Sequence, residues 1–363
     1  MGRKRTLLFA VVVVILTGLV YLQFRSWRDF DWPTFWSQTD RVHKLDIVNA
    51  IWLTYLAYLM RAIRWKVFLR PVRRETKVMA LLMPTLIGFT GLVMFGRPGE
   101  LIRPYLIARR ERLSFSSQLA VWAVERIFDL GAFALLLVLA IFFAIGPKDL
   151  AHYRTFREGG LILAGLVAAM ALAAWVTSQK GEAVADWCER CFSHWTSNLG
   201  QRVALRIREF RGGMNTIYGV SSLLQLIGLS VAMWYTIALA FQQVTHSYGA
   251  DVLQIPLSKT FVLMGSSMVG SLIQLPGVGG GSQLATIATL EHVFNVPHEL
   301  AASCGILLWL VSFVSVVPLG LLLAQRGQLS WWRLSEESRQ EETSNSLSRF
   351  RGADGAIGKK DGH

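Results

Sequence analysis

Charge and cysteine are both scarce in this chain. Only 17% of its 363 residues are Asp, Glu, Lys or Arg, well below the quarter usual in a soluble domain. That composition excludes a soluble enzyme and a disordered protein. The three cysteines, Cys188, Cys191 and Cys304, form an odd set that cannot staple a small secreted module. No glycine-rich loop ends in Lys-Ser/Thr, so a nucleotide-binding reading has little support.

Apolar residues fill the space left by charge. They make up 53% of the chain, with 13 Trp and 20 Phe, and the mean hydropathy is +0.40. A net charge of +13 would suit a nucleic-acid binder, but Lys and Arg fall in short blocks between apolar runs. That is the pattern that orients a membrane protein. The expected partners are therefore membrane lipids rather than nucleic acid. Arg3, Lys4 and Arg5 precede an apolar run over 6–24 that is longer than a signal-peptide core and lacks a cleavage site, which predicts an uncleaved first span.

A helix needs about 20 apolar residues to cross the hydrocarbon. Runs of that kind cover 6–24, 45–63, 116–146, 160–177, 218–241 and 299–323. Two more apolar stretches, 78–108 and 258–296, are interrupted by Gly and Pro. The block Arg61, Arg64, Lys66, Arg70, Arg73, Arg74 and Lys77 reads as a cytoplasmic loop. If 78–95 crossed fully, Arg103, Arg109, Arg110 and Arg112 would lie outside, against the positive-inside rule. A hairpin over 78–108 that dips in and returns keeps them inside.

The expected fold is an all-α polytopic membrane protein. It has about six full transmembrane helices and two re-entrant helical hairpins, 78–108 and 258–296, arranged as an inverted repeat of the transporter kind. Eight full spans are the alternative. Both termini face the cytoplasm of a plasma (inner) membrane. Residues 1–325 form the transmembrane domain, with an amphipathic cytoplasmic segment over 181–212. Residues 326–363, rich in Ser, Glu, Arg and Gly, read as a disordered tail.

Within the long apolar run 116–146, Glu125 and Asp129 share a helix face and Arg126 is within reach of Asp129. Charges at membrane depth normally face a partner or a wet cavity, so this cluster is either a polar site or a structural ion cluster. Arg97, Glu100 and Arg103 mark the first hairpin, where broken backbone and free N–H groups would seat an anion. Arg97 could add a charge-assisted bond to phosphate. Pro276, Gly277, Gly279, Gly280 and Gly281 form the second tip, where glycine permits a tight reversal, and Gln283 starts the return helix. Cys188, Cys191 and His194 lack a fourth ligand. No metal site and no cofactor are expected.

Two blocks resemble a known family. The segment 94–129, with Arg97, Gly99, Glu100, Arg103, Glu125, Arg126 and Asp129, resembles the signature of the lysylphosphatidylglycerol synthase transmembrane-region family. That family is also called the flippase-like or uncharacterised protein family 0104 group. The block LPGVGGGSQLATIATLEHVF resembles its second, looser element. Two positions depart from the pattern: Gln283 stands where an acid is expected and Trp309 where an Arg is often present.

The resemblance implies a flippase or translocase for an anionic phospholipid, glycolipid or lipid-linked precursor. Arg97, Arg103 and Arg126 would hold the phosphate, with Glu100, Glu125 and Asp129 positioning them. The soluble synthase domain of the bifunctional members is lacking, so the chain is not expected to be an enzyme. The alternatives are a membrane-embedded lipid-modifying transferase and a non-transporting partner of a lipid-biosynthesis enzyme.

Overall fold

The computed structural model describes residues 32–144, 153–169, 172, 219–272, 274–275 and 279–326. The expected span 6–24, the segment 181–212 and the tail from 327 lie outside the described residues, as do Pro276, Gly277, Cys188, Cys191 and His194. Apart from one two-residue β-ladder, the described regular structure is helical.

Helix α1 (Trp32–Asp40) leads into α2 (Lys44–Leu69). The 26 residues of α2 extend about 39 Å, beyond the end expected at residue 63. Arg61 and Arg64 therefore belong to the helix and not to a cytoplasmic loop. The reason is visible in the residues that alternate with them. Ala62, Trp65, Val67, Phe68 and Leu69 are buried, and they keep the helix packed past its charges.

Helix α3 (Val78–Phe95) ends at Gly96, whose φ of 69° favours glycine. A 3₁₀ turn (Arg97–Leu101) then reverses the chain into α4 (Ile102–Glu111). The two helices close into a hairpin because glycines face each other. A Cβ on Gly99 would collide with the Gly91 carbonyl, and one on Gly88 would sit 2.5 Å from the Arg103 Cβ.

Helix α5 (Phe115–Leu139) starts at Ser114, whose Oγ accepts from the Ser117 N–H at 3.2 Å. It ends in a π-turn over Ala140–Ala144. Helix α6 covers 153–169, and α7 covers Gly219–His246.

A second hairpin pairs α8 (Leu257–Gly270) with α9 (Gly281–His292). Its tip carries the antiparallel strands β1 (Gln274–Leu275) and β2 (Gly279–Gly280). Here Gly270 faces the Gly281 carbonyl so closely that a Cβ would collide with it. Gly280 has a φ of 116°, which only glycine adopts freely.

The expected span 299–323 is two helices, α10 (His298–Ser312) and α11 (Val317–Arg326), joined through a 3₁₀ turn at Val314–Val316. Pro318 explains the break, since it has no N–H to continue the ladder into the preceding turn.

Four described stretches are long and apolar enough to cross a membrane: Val78–Phe95, Phe115–Phe143, Val220–His246 and His298–Gln325. Helix α7 packs against both α2 and α5. One apolar core gathers Phe133, Met233, Trp234, Phe241, Leu263 and Cys304. A second gathers Trp65, Phe68, Leu81, Ile107, Val121 and Leu226. Between them lies the charged cluster.

Candidate functional site

Three helices and the first hairpin supply the cluster. Spacing of three on α2 turns Arg61 and Arg64 to one side, and spacing of four on α5 turns Glu125 and Asp129 toward them. Helix α4 adds Arg103 from the hairpin, and α7 adds Ser230. Glu125 and Arg64 are fully buried, while Asp129, Arg103 and Arg61 are 2%, 3% and 7% exposed.

Glu125 is the hub. Its Oε1 accepts from Arg64 Nη2 at 2.7 Å and from Arg103 Nη1 at 3.2 Å, and Oε2 pairs with Arg103 Nη2. Asp129 Oδ2 lies 3.4 Å from Arg61 Nη1 and 3.3 Å from Arg126 Nη2. Arg64 Nη1 forms an ion pair with Asp129 Oδ1 at 2.7 Å without hydrogen-bond alignment, and donates to Ser230 Oγ at 2.8 Å.

Aromatic faces complete the surround. The Arg103 guanidinium stands 4.4 Å from the Trp65 ring centroid and Arg61 stands 5.0 Å from that of Phe89. Such contacts stabilise cations where water is excluded.

Four guanidinium groups thus converge on two carboxylates. The cluster keeps two positive charges in excess, in surroundings where an unpaired charge is costly. Arg126 is where that excess meets open space. Its side chain is 33% exposed, and its Nε is buried without a partner. It lines a small, half-open cavity together with Gly88, Phe89, Leu92, Glu100, Arg103 and Trp122. The arrangement offers donors and net positive charge at an apolar wall, which suits an anionic group attached to an apolar body.

The remaining expected residues fall in two places. Arg97 pairs with Glu100 at 2.7 Å and donates to the Ser271 carbonyl at 2.9 Å, so it ties the first hairpin tip to the second. Gly99 closes the first hairpin. Gly279, Gly280, Gly281 and Gln283 sit at the second tip and line no part of the Arg126 cavity. The Gln283 Oε1 accepts from the Gly280 N–H at 3.5 Å. Among the described residues, no three His, Cys, Asp or Glu side chains are grouped to hold a metal ion.

A family profile described as "Lysylphosphatidylglycerol synthase TM region" matches residues 7–320. The chain belongs to this family. Two similar proteins, each described as "UPF0104 membrane protein", come from Methanothermobacter thermautotrophicus. One is 23% identical over 302 residues, covering 78% of this chain and 86% of the relative. The other is 25% identical over 272 residues, covering 73% and 78% respectively. No solved structure matches the chain.

Within this lysylphosphatidylglycerol synthase transmembrane-region member, Arg61, Arg64 and Ser230 are the residues that sequence reasoning missed. The two arginines follow an apolar run and look like a flanking basic block. Their signal was the spacing of three, with apolar residues continuing to Leu69. Ser230 carried no signal of its own. Trp309 lines a second and smaller cavity with Ser267, Ser282 and Thr286.

Proposed function

We infer that the protein is a lipid translocase whose Arg126 cavity receives an anionic headgroup while the acyl chains stay in the bilayer. The observation that carries this reading is that the cluster's two surplus guanidinium charges reach a cavity through Arg126 and Arg103, beside Phe89, Leu92, Trp122 and Glu100, whose carboxylate is already paired with Arg97. A phosphate there would neutralise charge that the two carboxylates leave uncompensated. Arg126 contacts the phosphate, Arg103 supports it from the hairpin, and Glu125 and Asp129 hold the arginines in place.

In this reading both hairpins are re-entrant. Helix α3, though long enough to cross, turns back at Gly96 into the ten-residue α4, which returns Arg109, Arg110 and Arg112 to the side of entry. Helices α8 and α9, with 14 and 12 residues, reach only about 21 and 18 Å, short of the roughly 30 Å of hydrocarbon. The first hairpin with α5 and the second with α10 then form an inverted repeat within a transport domain of residues 1–325. Both termini lie in the cytoplasm, and the membrane is the plasma membrane.

A transferase would need a free carboxylate as base. Glu125 and Asp129 are instead engaged by arginines on several sides, which favours transport over catalysis.

The test is a leaflet-resolved assay in proteoliposomes with a fluorescent anionic phospholipid and a zwitterionic one. Wild type moves the anionic probe faster. Arg126→Ala slows it by about tenfold or more, the scale of one lost charge-assisted bond. Equal rates for wild type and variant would defeat the reading.

A further inference from the structure

One end of the helix bundle is strongly positive. Helices α2 and α4 end there, and α3, α5 and α7 begin there. The Thr76 hydroxyl donates to Glu111 Oε2 at 2.9 Å and Arg70 Nη1 to Gln225 Oε1 at 2.6 Å, so these ends form one rim. The turn between α2 and α3 brings Arg70, Arg73, Arg74 and Lys77, and the end of α4 brings Arg109, Arg110 and Arg112. All seven residues are exposed, and only Glu75 and Glu111 lie among them. At the opposite end, Asp40, Asp46, Glu158, Asp251, Glu291 and Glu299 outnumber the five cations of the described residues.

Part of the positive charge has a structural use. Arg70, Arg109, Arg110 and Arg112 stand at the C-terminal ends of α2 and α4, where cations complement the helix dipole. Lys77 and Arg74 have the reverse placement. Lys77 is the N-cap of α3, its side chain caps no N–H, and no acid lies in the first turn. A helix start has unpaired N–H groups and favours an anion; here it meets a cation instead. Helices α5 and α7 also begin at this end with no acid in the first turn. At the other end, α2 and α10 begin with Asp46 and Glu299. An external anion at the rim would supply the negative charge that these three helix starts lack.

Apolar side chains identify the kind of anion. Val72 and Met79 are 57% and 71% exposed beside the cations, and the membrane-length apolar stretches of α3, α5 and α7 begin at this level. A soluble anion makes no use of exposed Val and Met. A phospholipid does, since its phosphate meets the cations while its glycerol and upper acyl chains meet the apolar groups.

We propose that this rim is a binding surface for the anionic phospholipid headgroups of the leaflet it faces, centred on Arg73, Arg74 and Lys77 at the start of α3. None of these three lines the Arg126 cavity. The proposal therefore goes beyond the translocase reading, and either can fail alone. Arg103 and Arg110 are two turns apart on α4, about 10 Å, so lipid gathered at the rim stands close to that cavity.

The test is native mass spectrometry of the full-length protein released from a neutral detergent. Phosphatidylglycerol, phosphatidylcholine and glycerol 3-phosphate are titrated separately, and the Kd of the first bound molecule is compared. Wild type binds phosphatidylglycerol about fivefold or more tighter than phosphatidylcholine, the scale of one basic residue at an anionic surface. The triple variant Arg73→Gln, Arg74→Gln, Lys77→Gln loses that preference. A second triple variant, Arg41→Gln, Lys44→Gln, Lys259→Gln, removes the same charge from the opposite end and keeps it, as does Arg126→Ala.

No preference in wild type, or equal loss in the two triple variants, overturns the proposal. So does loss in Arg126→Ala with the rim variant unaffected, which assigns the lipid to the cavity. Glycerol 3-phosphate binding as tightly as phosphatidylglycerol assigns the rim to a soluble phosphate and overturns it too. Lys77→Asp guards against a folding defect, because an acid there caps α3. Its unfolding midpoint without lipid is at least that of wild type, and the rise that phosphatidylglycerol gives wild type is lost. An undiminished rise in Lys77→Asp would overturn the proposal.

Discussion

The two hairpin units are built alike in backbone and unlike in charge. Each is a pair of helices closed by glycines that let main chains touch, Gly91 with Gly99 in the first and Gly270 with Gly281 in the second. Each packs on a following helix that lines a cavity with residues four apart. On α5 these are Trp122 and Arg126, beside the buried Glu125; on α10 they are Gly305 and Trp309, with Leu308 beside them. The first set brings ions into the protein and must satisfy them with Arg61, Arg64, Arg103 and Ser230. The second set brings only an indole and hydroxyls. One backbone plan can therefore present two chemistries, because the glycine contacts that shape it do not specify what the cavity side chains are.

The sharpest way to break this comparison is to remove the hub. Glu125→Gln leaves Arg103 without a counter-charge and Arg64 with Asp129 alone, and lowers stability by about 3–5 kcal/mol, read by chemical unfolding in detergent. The matching change in the second unit, Leu308→Met, conserves volume and costs less than about 1.5 kcal/mol. Similar losses for the two would show that the charge contrast has no energetic meaning.

Gly99→Ala and Gly270→Ala probe the common plan. A Cβ at either position overlaps the opposing main chain, and overpacking of this kind costs about 1–3 kcal/mol. Both variants should lose stability by similar amounts in the same unfolding experiment. If one were harmless, the hairpins would not share a closure.

Arg126→Ala separates site from scaffold. Its side chain is one-third exposed, so stability falls by no more than about 1 kcal/mol while anionic lipid movement collapses. A large loss of stability would make Arg126 part of the structural network instead. Smallest of all is Arg97→Ala, which removes a pair exposed on the arginine side and should move the unfolding midpoint by under about 1 kcal/mol.

Some of this was legible in the sequence. Helical spacing alone puts Glu125 and Asp129 on one face, with Arg126 in reach. Gly and Pro at 96–99 and 276–281 marked both reversals. Arg61 and Arg64 were misplaced because a basic residue after an apolar run is read as the end of a span, and only their long-range partners reveal otherwise. Asp129 lies 68 residues from Arg61, and Ser230 lies 166 from Arg64. No local pattern reports pairings at that separation. The break between α10 and α11 was foreshadowed by Pro318 alone.

The tie between the hairpin tips behaves unlike the buried arginine–carboxylate pairs. Arg97 reaches across to a neutral carbonyl, that of Ser271, from a side chain 45% exposed. Water can take the place of that carbonyl, and Glu100 stays with Arg97 when the contact opens, so no bare ion is stranded. Arg64 could not leave Glu125 on such terms. If the two halves part during a working cycle, the seam yields first at the tips, like a clasp, while the buried arginines act as a rivet.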